Sequence, residues 1–364
     1  MGSEMCIRDS PGTAFCTRAY LMKHRTFFWF FLPTASAMIL FIALPIFSIV
    51  IQSLFTPHDA VIIVTENCDP FGCKQATTID QEATSDLRKS EPLGKFVGLE
   101  IYKDRSHLAV NELKEIWAES NDFKDFKDNI GNLPFYRAMA FTLTFTFTVT
   151  PLMLIFGFII ALAVNSLHQS LKGLTIFFSL LPMIVSPLIG SLVLFWMIDS
   201  RGIIGEGLQW VFEDPDLSLK ASTGLTWAML IVYGVWHAAP FSFVVFYAGL
   251  QTLPMDTIES AKIDGASRLQ QIWYVVIPHL MPLITFVALM QLMDNFRVFE
   301  PIVGFSAEAH AQSLSWFIFN DLGGETRLLS SAATSSVLTI IGVSILLLPV
   351  LVRTWRDFNE KSAK

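Results

Sequence analysis

The chain has 364 residues, of which 52% are hydrophobic and only 16% charged. Soluble domains usually carry about 25% charged residues, so this composition excludes an ordinary soluble protein and indicates an integral membrane protein. The net charge of −7 is concentrated in residues 56–134, where fifteen Asp and Glu stand against nine Lys and Arg. This acidic balance predicts no nucleic-acid partner.

The first 21 residues show no pattern for packing, and their segment EMCIRDS resembles the translated end of a sequencing adapter. We expect residues 1–21 to be non-native or disordered; a short genuine cytoplasmic tail is the alternative. The segment MKHRTFFWFFLPT from Met22 places basic residues directly before a hydrophobic helix, as expected of a natural beginning.

Six apolar runs are long enough to cross a bilayer, which takes about 20 helical residues. They predict an all-α integral membrane protein, a six-span helical bundle, with spans at residues 27–55, 135–165, 171–198, 223–250, 280–299 and 330–352. Segment 141–150, FTLTFTFTVT, alternates like a strand. An open strand edge cannot lie in lipid, so a helix is predicted there too.

Threonines 142, 146 and 150 share one face of that second helix. Their hydroxyl groups either bond the helix's own backbone and permit close packing, or line a polar pathway. Thr146 is therefore a candidate for the substrate path. His237 and Asn165 are ambiguous in the same way.

Basic residues near the ends of short loops favour the cytoplasmic side of a membrane. With six spans, one side receives Lys23, Arg25, Lys172, Lys262, Arg268 and the tail 353–364. This predicts cytoplasmic N- and C-termini. The first helix then occupies 22–55, an extracytoplasmic insert 56–134, and a core of five helices 135–352.

The insert contains Cys68 and Cys73 in the segment ENCDPFGC. In an oxidising compartment these two cysteines could close a small disulfide loop, and two free thiols are the alternative. No group of His, Cys and carboxylate residues has the spacing of metal ligands, so no metal site and no catalytic site are predicted.

A loop over residues 253–279 separates the fourth and fifth spans. Asp256 and Glu259 have the spacing of a capping box after Pro254, and Asp264-Gly265 is a turn signal because Gly permits backbone angles closed to other residues. A second short helix is predicted over residues 266–276, ending before Pro278. Two short helices at an angle would form a compact knob that protrudes from the membrane.

This loop resembles the "EAA" loop of ABC importer permeases, and most closely that of the sugar-type permeases. The residues that carry the resemblance are Glu259, Ser260, Ala261, Asp264, Gly265, Ala266, Ile277, Pro278 and Pro282, after the lead-in AGLQTLP at 248–254. Ser260 replaces the family's second Ala, a small residue for a small one. The resemblance extends in span order over residues 135–364, and it leaves out the insert.

The resemblance implies an ABC importer permease fold, found in the bacterial inner membrane, that works by alternating access. The loop would be the coupling helix, with Glu259 facing a basic residue of a separate ATPase subunit and Gly265 providing the bend. Its implied partners are an ATPase dimer, a second permease subunit, an extracytoplasmic solute-binding protein and membrane lipids. Carbohydrates or related solutes are the implied substrates.

The chain contains no G-x-x-x-x-G-K-[ST] phosphate loop, so ATP is expected on the partner ATPase and no cofactor on this chain. The chain is thus predicted to be a transporter subunit, not an enzyme.

Ionisable residues also occur deep in the fifth predicted span. Asp294 and Arg297 are three residues apart, with Gln291 and Asn295 beside them. Such groups usually face a cavity or one another, which predicts an ion pair on the substrate path; the alternative is an interfacial position if the helix ends early. A second function remains open, an ion-gradient-driven secondary transporter with Asp294 as the coupling carboxylate.

Overall fold

The computed structural model describes residues 6–7, 15–16, 24–58, 61–69, 72–91, 93–120, 122–214, 218–323 and 328–362. The chain divides into two units, Met1–Ile51 and Gln52–Lys364. The predicted non-native segment 1–21 lies outside the described residues except for two short strands, β1 (Cys6–Ile7) and β2 (Phe15–Cys16), which pair antiparallel.

In its other described residues the first unit is helical. Helix α1 (His24–Met38) continues through a π-helical turn (Ile39–Ala43) into α2 (Leu44–Gln52). The apolar span Phe27–Gln52 buries none of its side chains within the chain. Exposed apolar surface along a whole helix is expected for a helix that faces lipid.

The insert is a mixed α and β segment. Its elements are β3 (Phe55–Thr56), β4 (Ile62–Asp69), β5 (Gly72–Ile79), α3 (Gln81–Ser90), β6 (Lys95–Phe96), α4 (Glu100–Lys103), α5 (Val110–Glu119) and α6 (Phe123–Ile130). Strands β4 and β5 form an antiparallel hairpin, whereas β3 pairs with β6.

The rest of the second unit is entirely helical in the residues that the structure describes. Its helices are α7 (Pro134–Ser166), α8 (Gln169–Ile184), α9 (Pro187–Met197), α10 (Ile203–Phe212), α11 (Thr223–Gln251), α12 (Met255–Ile263), α13 (Arg268–Gln271), a π-helical segment (Ile272–Val276), α14 (Ile277–Phe296), α15 (Glu300–Gly304), α16 (Leu314–Gly323) and α17 (Leu329–Ser362). Five helices of the described chain are long and apolar enough to cross a membrane, and the pair α8–α9 makes a sixth if its two halves form one span. This agrees with the predicted six-span bundle.

The third predicted span, 171–198, is broken. Helices α8 and α9 meet at 95° across Val185 and Ser186. Pro187 follows directly, and a residue before proline is driven out of the helical region. Ser186 accordingly has φ −56° and ψ 138°, and Val185 is also extended. The prediction of one uninterrupted helix was therefore wrong.

The fifth predicted span also has different ends. The second helix of the 253–279 loop does not stop before Pro278, because α13, the π-helical segment and α14 form one continuous span, Arg268–Phe296. The amide of Ile277 bonds to the carbonyl of Ile272, so the wide turn ends directly before Pro278, which has no amide to offer. At the other end the helix stops at Phe296, before the predicted residue 299.

The core of the second unit lies where α7 packs against α11 and α14. Gly157 makes this approach possible, since a Cβ there would overlap Ser242 and lie 2.9 Å from the amide nitrogen of Phe243. The buried hydroxyls of Thr142 and Thr146 donate to the carbonyls one turn earlier, at 2.8 and 2.7 Å. The threonine face thus permits close packing.

The insert is joined to the core by buried polar contacts. The hydroxyl of Ser331 donates to Asp321 Oδ2 at 2.6 Å, and His107 Nε2 lies 3.2 Å from both the hydroxyl and the carbonyl oxygen of Ser331. Tyr136 donates to the carbonyl of Leu108 at 3.0 Å. Because His107 is almost completely buried, this end of the insert is part of the core rather than a separate domain.

Candidate functional site: a cavity beside the broken span

The break between α8 and α9 is held by two side chains of α11. The hydroxyl of Tyr233 donates to the carbonyl of Pro187 at 2.7 Å, and Nε2 of His237 lies 3.2 Å from the carbonyl of Val185. A carbonyl only accepts, so His237 carries its hydrogen on Nε2. The two rings stack with centroids 5.8 Å apart.

A cavity of about 570 Å³ opens beside this break. Helices α7, α8, α9, α11 and α14 and the segment after α14 contribute its walls. The lining residues are Phe145, Met183, Pro187, Tyr233, Gly234, His237, Ala238, Phe241, Met290, Gln291, Asp294, Asn295, Arg297, Val298, Phe299, Glu300 and Pro301. This volume lies in the range of small-molecule sites, which combine apolar walls with a few placed polar groups.

Four of the five side chains predicted for the substrate path lie together on this cavity: Gln291, Asp294, Asn295 and Arg297. Thr146 is not among the lining residues, because it is fully buried between helices and its hydroxyl bonds to Thr142. Sequence reasoning left His237 open and missed Tyr233 and Glu300. Pro187 was the available signal. If a helix break had been predicted there, Tyr233 and His237 would have been recognised as possible hydrogen-bond donors to it.

Asp294 and Arg297 form the expected ion pair. Nη2 of Arg297 donates to Oδ1 of Asp294 at 2.7 Å, and about half of each side chain is exposed, 58% for Arg297 and 48% for Asp294. Since α14 ends at Phe296, the pair lies at the end of the helix. The two alternatives predicted from the sequence therefore both hold in part: Asp294 and Arg297 form an ion pair, and the helix ends before residue 299.

The amide side chains differ from the ion pair in burial. Asn295 donates to the hydroxyl of Thr150 at 2.9 Å, and both residues are buried. Gln291, one turn earlier, is buried as well. With the carboxylate of Glu300, the cavity holds two carboxylates and one guanidinium beside aromatic rings, a set that can bind hydroxyl groups through donors and acceptors.

The 253–279 loop consists of the short helix α12 and the first turns of the continuous helix Arg268–Phe296. Helix α12 begins after Pro254 without a side-chain cap, so the capping box predicted from Asp256 and Glu259 is wrong. The capping box lies instead at Ser267 and Gln270, whose side chains bond each other's backbone amides at 3.4 and 2.8 Å. Asp256 lies inside the first turn of α12 and therefore cannot be its N-cap.

Gly265 makes the bend between the two helices. Its φ is +79°, in the left-handed region that favours glycine, and among the described residues no atom lies within 4 Å of the position a Cβ would take. The predicted coupling residues Glu259, Ser260, Ala261, Asp264 and Ala266 surround this bend, and all of them lie at least partly exposed. Pro278 lies at the far end of the loop, in the first turn of α14.

Several apolar side chains of the loop are exposed. Ile263 is 86% exposed and Tyr274 79%, and Met255, Leu269 and Trp273 are exposed as well. At the root of the loop, Thr252 Oγ1 and His279 Nε2 lie 3.2 Å apart and join its two ends. Exposed apolar groups on a rigid protrusion are typical of a protein-binding surface.

In the insert, the hairpin register places Cys68 directly opposite Cys73. The side chains of both lie outside the described residues, so the disulfide stays a prediction. The described part of the chain contains no group of three or more His, Cys, Asp or Glu that could hold a metal ion.

An all-α bundle of apolar helices around a cavity with charged and amide groups defines a multi-pass membrane protein. Residues 130–299 match the family described as binding-protein-dependent transport system inner membrane component. The matched segment contains both the cavity residues named above up to Phe299 and the 253–279 loop. This part of the chain is therefore similar to that family.

Curated relatives show the same similarity. The chain is 30% identical over 193 residues to the multiple sugar-binding transport system permease protein MsmF of Streptococcus mutans serotype c, covering 51% of this chain and 64% of that relative. It is 28% identical over 214 residues to the sn-glycerol-3-phosphate transport system permease protein UgpA of Brucella suis biovar 1, covering 56% and 70%. The chain thus spans less than two thirds of MsmF.

A solved structure shares the fold. The crystal structure of a bacterial ABC transporter involved in the import of the acidic polysaccharide alginate matches with a TM-score of 0.55 and 21% identity, covering 68% of this chain and 88% of that chain. The same kind of transporter in complex with an alginate pentasaccharide-bound periplasmic protein matches with a TM-score of 0.52 and 22% identity, covering 66% and 85%.

Proposed function

We propose that this chain is the transmembrane permease subunit of an ABC importer and that its cavity lies on the alternating-access path of a carbohydrate or related solute. The observation that carries the proposal is the family match over residues 130–299, which includes most of the cavity wall and the whole 253–279 loop. MsmF and UgpA are named as sugar and glycerol-phosphate permeases, which supports a polyhydroxylated solute.

The cavity chemistry supports the same class of solute. The guanidinium of Arg297 already pairs with Asp294, and Gln291 and Asn295 offer amide donors and acceptors. The hydroxyl groups of a solute can donate to and accept from these side chains without bringing a charge into the cavity. The rings of Phe145 and Phe241 offer apolar faces.

The partners follow from the position of the loop. An ATPase subunit would receive the segment from Glu259 to Ala266, with its exposed apolar neighbours, and would carry the ATP. A second permease subunit would complete the path, and an extracytoplasmic binding protein would deliver the solute. The basic loop ends favour a bacterial inner-membrane orientation with both termini cytoplasmic.

The rival function, a secondary transporter coupled through Asp294, has less support. A coupling carboxylate has to gain and lose an ion, and Asp294 is held at 2.7 Å by Arg297. The relatives named above are ABC permeases.

The test is to express the chain with the proteins of its neighbouring reading frames, purify it, and measure solute uptake in proteoliposomes. An ATPase subunit should stay bound to the chain, and uptake should require enclosed ATP. Uptake that persists without ATP and collapses with the ion gradient would contradict the proposal and support the secondary transporter.

The cavity is tested separately with Asp294→Asn. Uptake should fall while the ATPase remains bound, because the substitution unpairs Arg297 at the cavity and leaves the loop untouched. The matched control is Asp86→Asn, which breaks the Lys89–Asp86 pair of the same three-residue spacing in α3 of the insert. If both variants took up solute equally well, Asp294 would have no role on the solute path.

A further inference from the structure

The break in the α8–α9 span leaves backbone carbonyls without helical partners. Val185 and Ser186 have left the helical region, so the last carbonyls of α8 lack the amides that a continuous helix would supply, whereas the carbonyl of Ser186 still accepts from the amide of Gly190 at 2.9 Å. Backbone groups within a membrane span need partners inside the protein, because lipid offers none.

Two side chains of one helix bond to the backbone at the break. Tyr233 and His237 lie one turn apart on α11 and face the same direction, and their bonds to the carbonyls of Pro187 and Val185 cover both sides of the break. Tyr233 is almost fully buried and its ring also meets Phe305 edge-on, with centroids 5.6 Å apart. Its position is thus fixed by packing as well as by its bond.

Gly190 of α9 leaves room for the hydroxyl group of Tyr233. A Cβ on Gly190 would lie 2.8 Å from Tyr233 Oη and 3.3 Å from Val185 Cγ1. The hydroxyl therefore fits against the first turn of α9 because this residue has no side chain.

The same groups form the cavity wall. Tyr233, His237, Met183 and Pro187 all line the cavity, and Met183 and Pro187 come from the two arms of the break. A change in the angle between α8 and α9 would therefore move one wall of the cavity.

We propose that Tyr233 and His237 are positioning residues: they hold the broken span at its observed angle and so set the shape of the cavity through which solute passes. This inference rests on the proposed function of the cavity as a solute path.

The geometry can be measured without any transport assay. Spin labels at positions 178 and 196, where Phe178 and Trp196 are exposed on the two arms, report the distance across the break in a chain whose four cysteines are replaced by serine. The double variant Tyr233→Phe with His237→Leu should broaden or shift this distance. Tyr247→Phe, the same hydroxyl deletion elsewhere on α11, should leave it unchanged.

The functional arm compares uptake with ATP hydrolysis in the whole transporter. Tyr233→Phe and His237→Leu should each lower the solute imported per ATP hydrolysed about fivefold, the effect of one lost hydrogen bond. His237→Gln, which keeps an amide donor, should restore most of the ratio. A merely structural role would lower uptake and ATP hydrolysis together, leaving their ratio unchanged.

The outcomes separate the two claims. Unchanged label distances in the double variant, or an unchanged ratio of uptake to hydrolysis, would overturn the positioning role. Absence of ATP-driven uptake by the wild-type transporter would overturn the proposed function instead.

Discussion

The 253–279 loop and the break between α8 and α9 are both bends between helices, but they are stabilised in different ways. In the loop, the bonds at the bend join neighbours: Gln271 donates to Ala266 at 2.8 Å, and the amide of Ala266 bonds to Ala261 at 2.9 Å. At the break, the partners of Pro187 and Val185 come from residues 46 and 52 positions away.

The difference follows from the solvent at each bend. An exposed loop can leave backbone groups to water, so caps and a glycine are enough to shape it. A break within a membrane span cannot rely on lipid for hydrogen bonds, and here donors from another helix bond to the carbonyls of Val185 and Pro187. The loop should therefore fold as a local unit, whereas the break depends on the packing of α11.

The largest effect is expected from Gly265→Glu. A residue with a side chain is strained in the left-handed region by about 1–2 kcal/mol, and the new carboxylate would occupy the open space at the bend. Binding of the ATPase and ATP-driven uptake should fall more than about tenfold, since a 1.4 kcal/mol change is already tenfold. Co-purification and uptake assays measure this.

The control is Gly207→Glu in α10, where likewise no described atom lies within 4 Å of a Cβ but the backbone is helical. It should retain the ATPase. If Gly265→Glu also retained it, the bend would not be the docking element.

A smaller effect is expected from Gly190→Ala at the break. The new methyl would crowd the Tyr233 hydroxyl, and overpacking of this kind costs about 1–3 kcal/mol. Thermal unfolding in detergent should occur at a lower temperature. Gly173→Ala, in α8 with no described atom within 4 Å, should be neutral or slightly stabilising; if the two variants unfold alike, the close fit at the break does not matter.

Ser267→Ala should act only on the loop. Loss of this cap costs about 1 kcal/mol of local helix stability, and the global unfolding temperature should hardly change because the loop is exposed. Hydrogen exchange of the α13 amides should rise. An equal rise in exchange in α11 would show that the loop is not an independent unit.

The weakest effect concerns another long-range contact, the one between the insert and the core. Burial raises the pKa of the Asp321 carboxyl, although its bond from Ser331 and the nearby His107 act the other way. A carboxyl whose pKa is higher in the folded than in the unfolded state binds protons more tightly when folded. Its contribution therefore favours the folded state at low pH and is lost as pH rises through the folded pKa.

Asp321→Asn abolishes this titration. The difference in stability between the variant and the wild type should shift in favour of the wild type as the pH is lowered toward the ordinary pKa of aspartate, measured by denaturant unfolding across pH. A difference that stays constant with pH would show that Asp321 does not titrate with a raised pKa.

The sequence predicted the site unevenly. Gln291, Asp294, Asn295 and Arg297 could be selected because polar groups are rare in apolar spans, and they meet on one cavity. Thr146 could not be separated from them, since a hydroxyl that bonds its own helix looks the same in sequence as one that lines a path. The capping box was assigned to Asp256 although Pro254 had already started α12.

The number and approximate positions of the apolar spans, the exposed loop and its glycine bend were determined by the sequence alone, because apolar length and turn residues act between near neighbours. Only the tertiary structure decided three features: the angle of the α8–α9 break, the cavity beside it, and the hydrogen-bonded contact between His107 and Ser331. The physical reason is that their buried polar groups find donors and acceptors on helices far away in the chain, and no local pattern specifies which distant side chain will supply them.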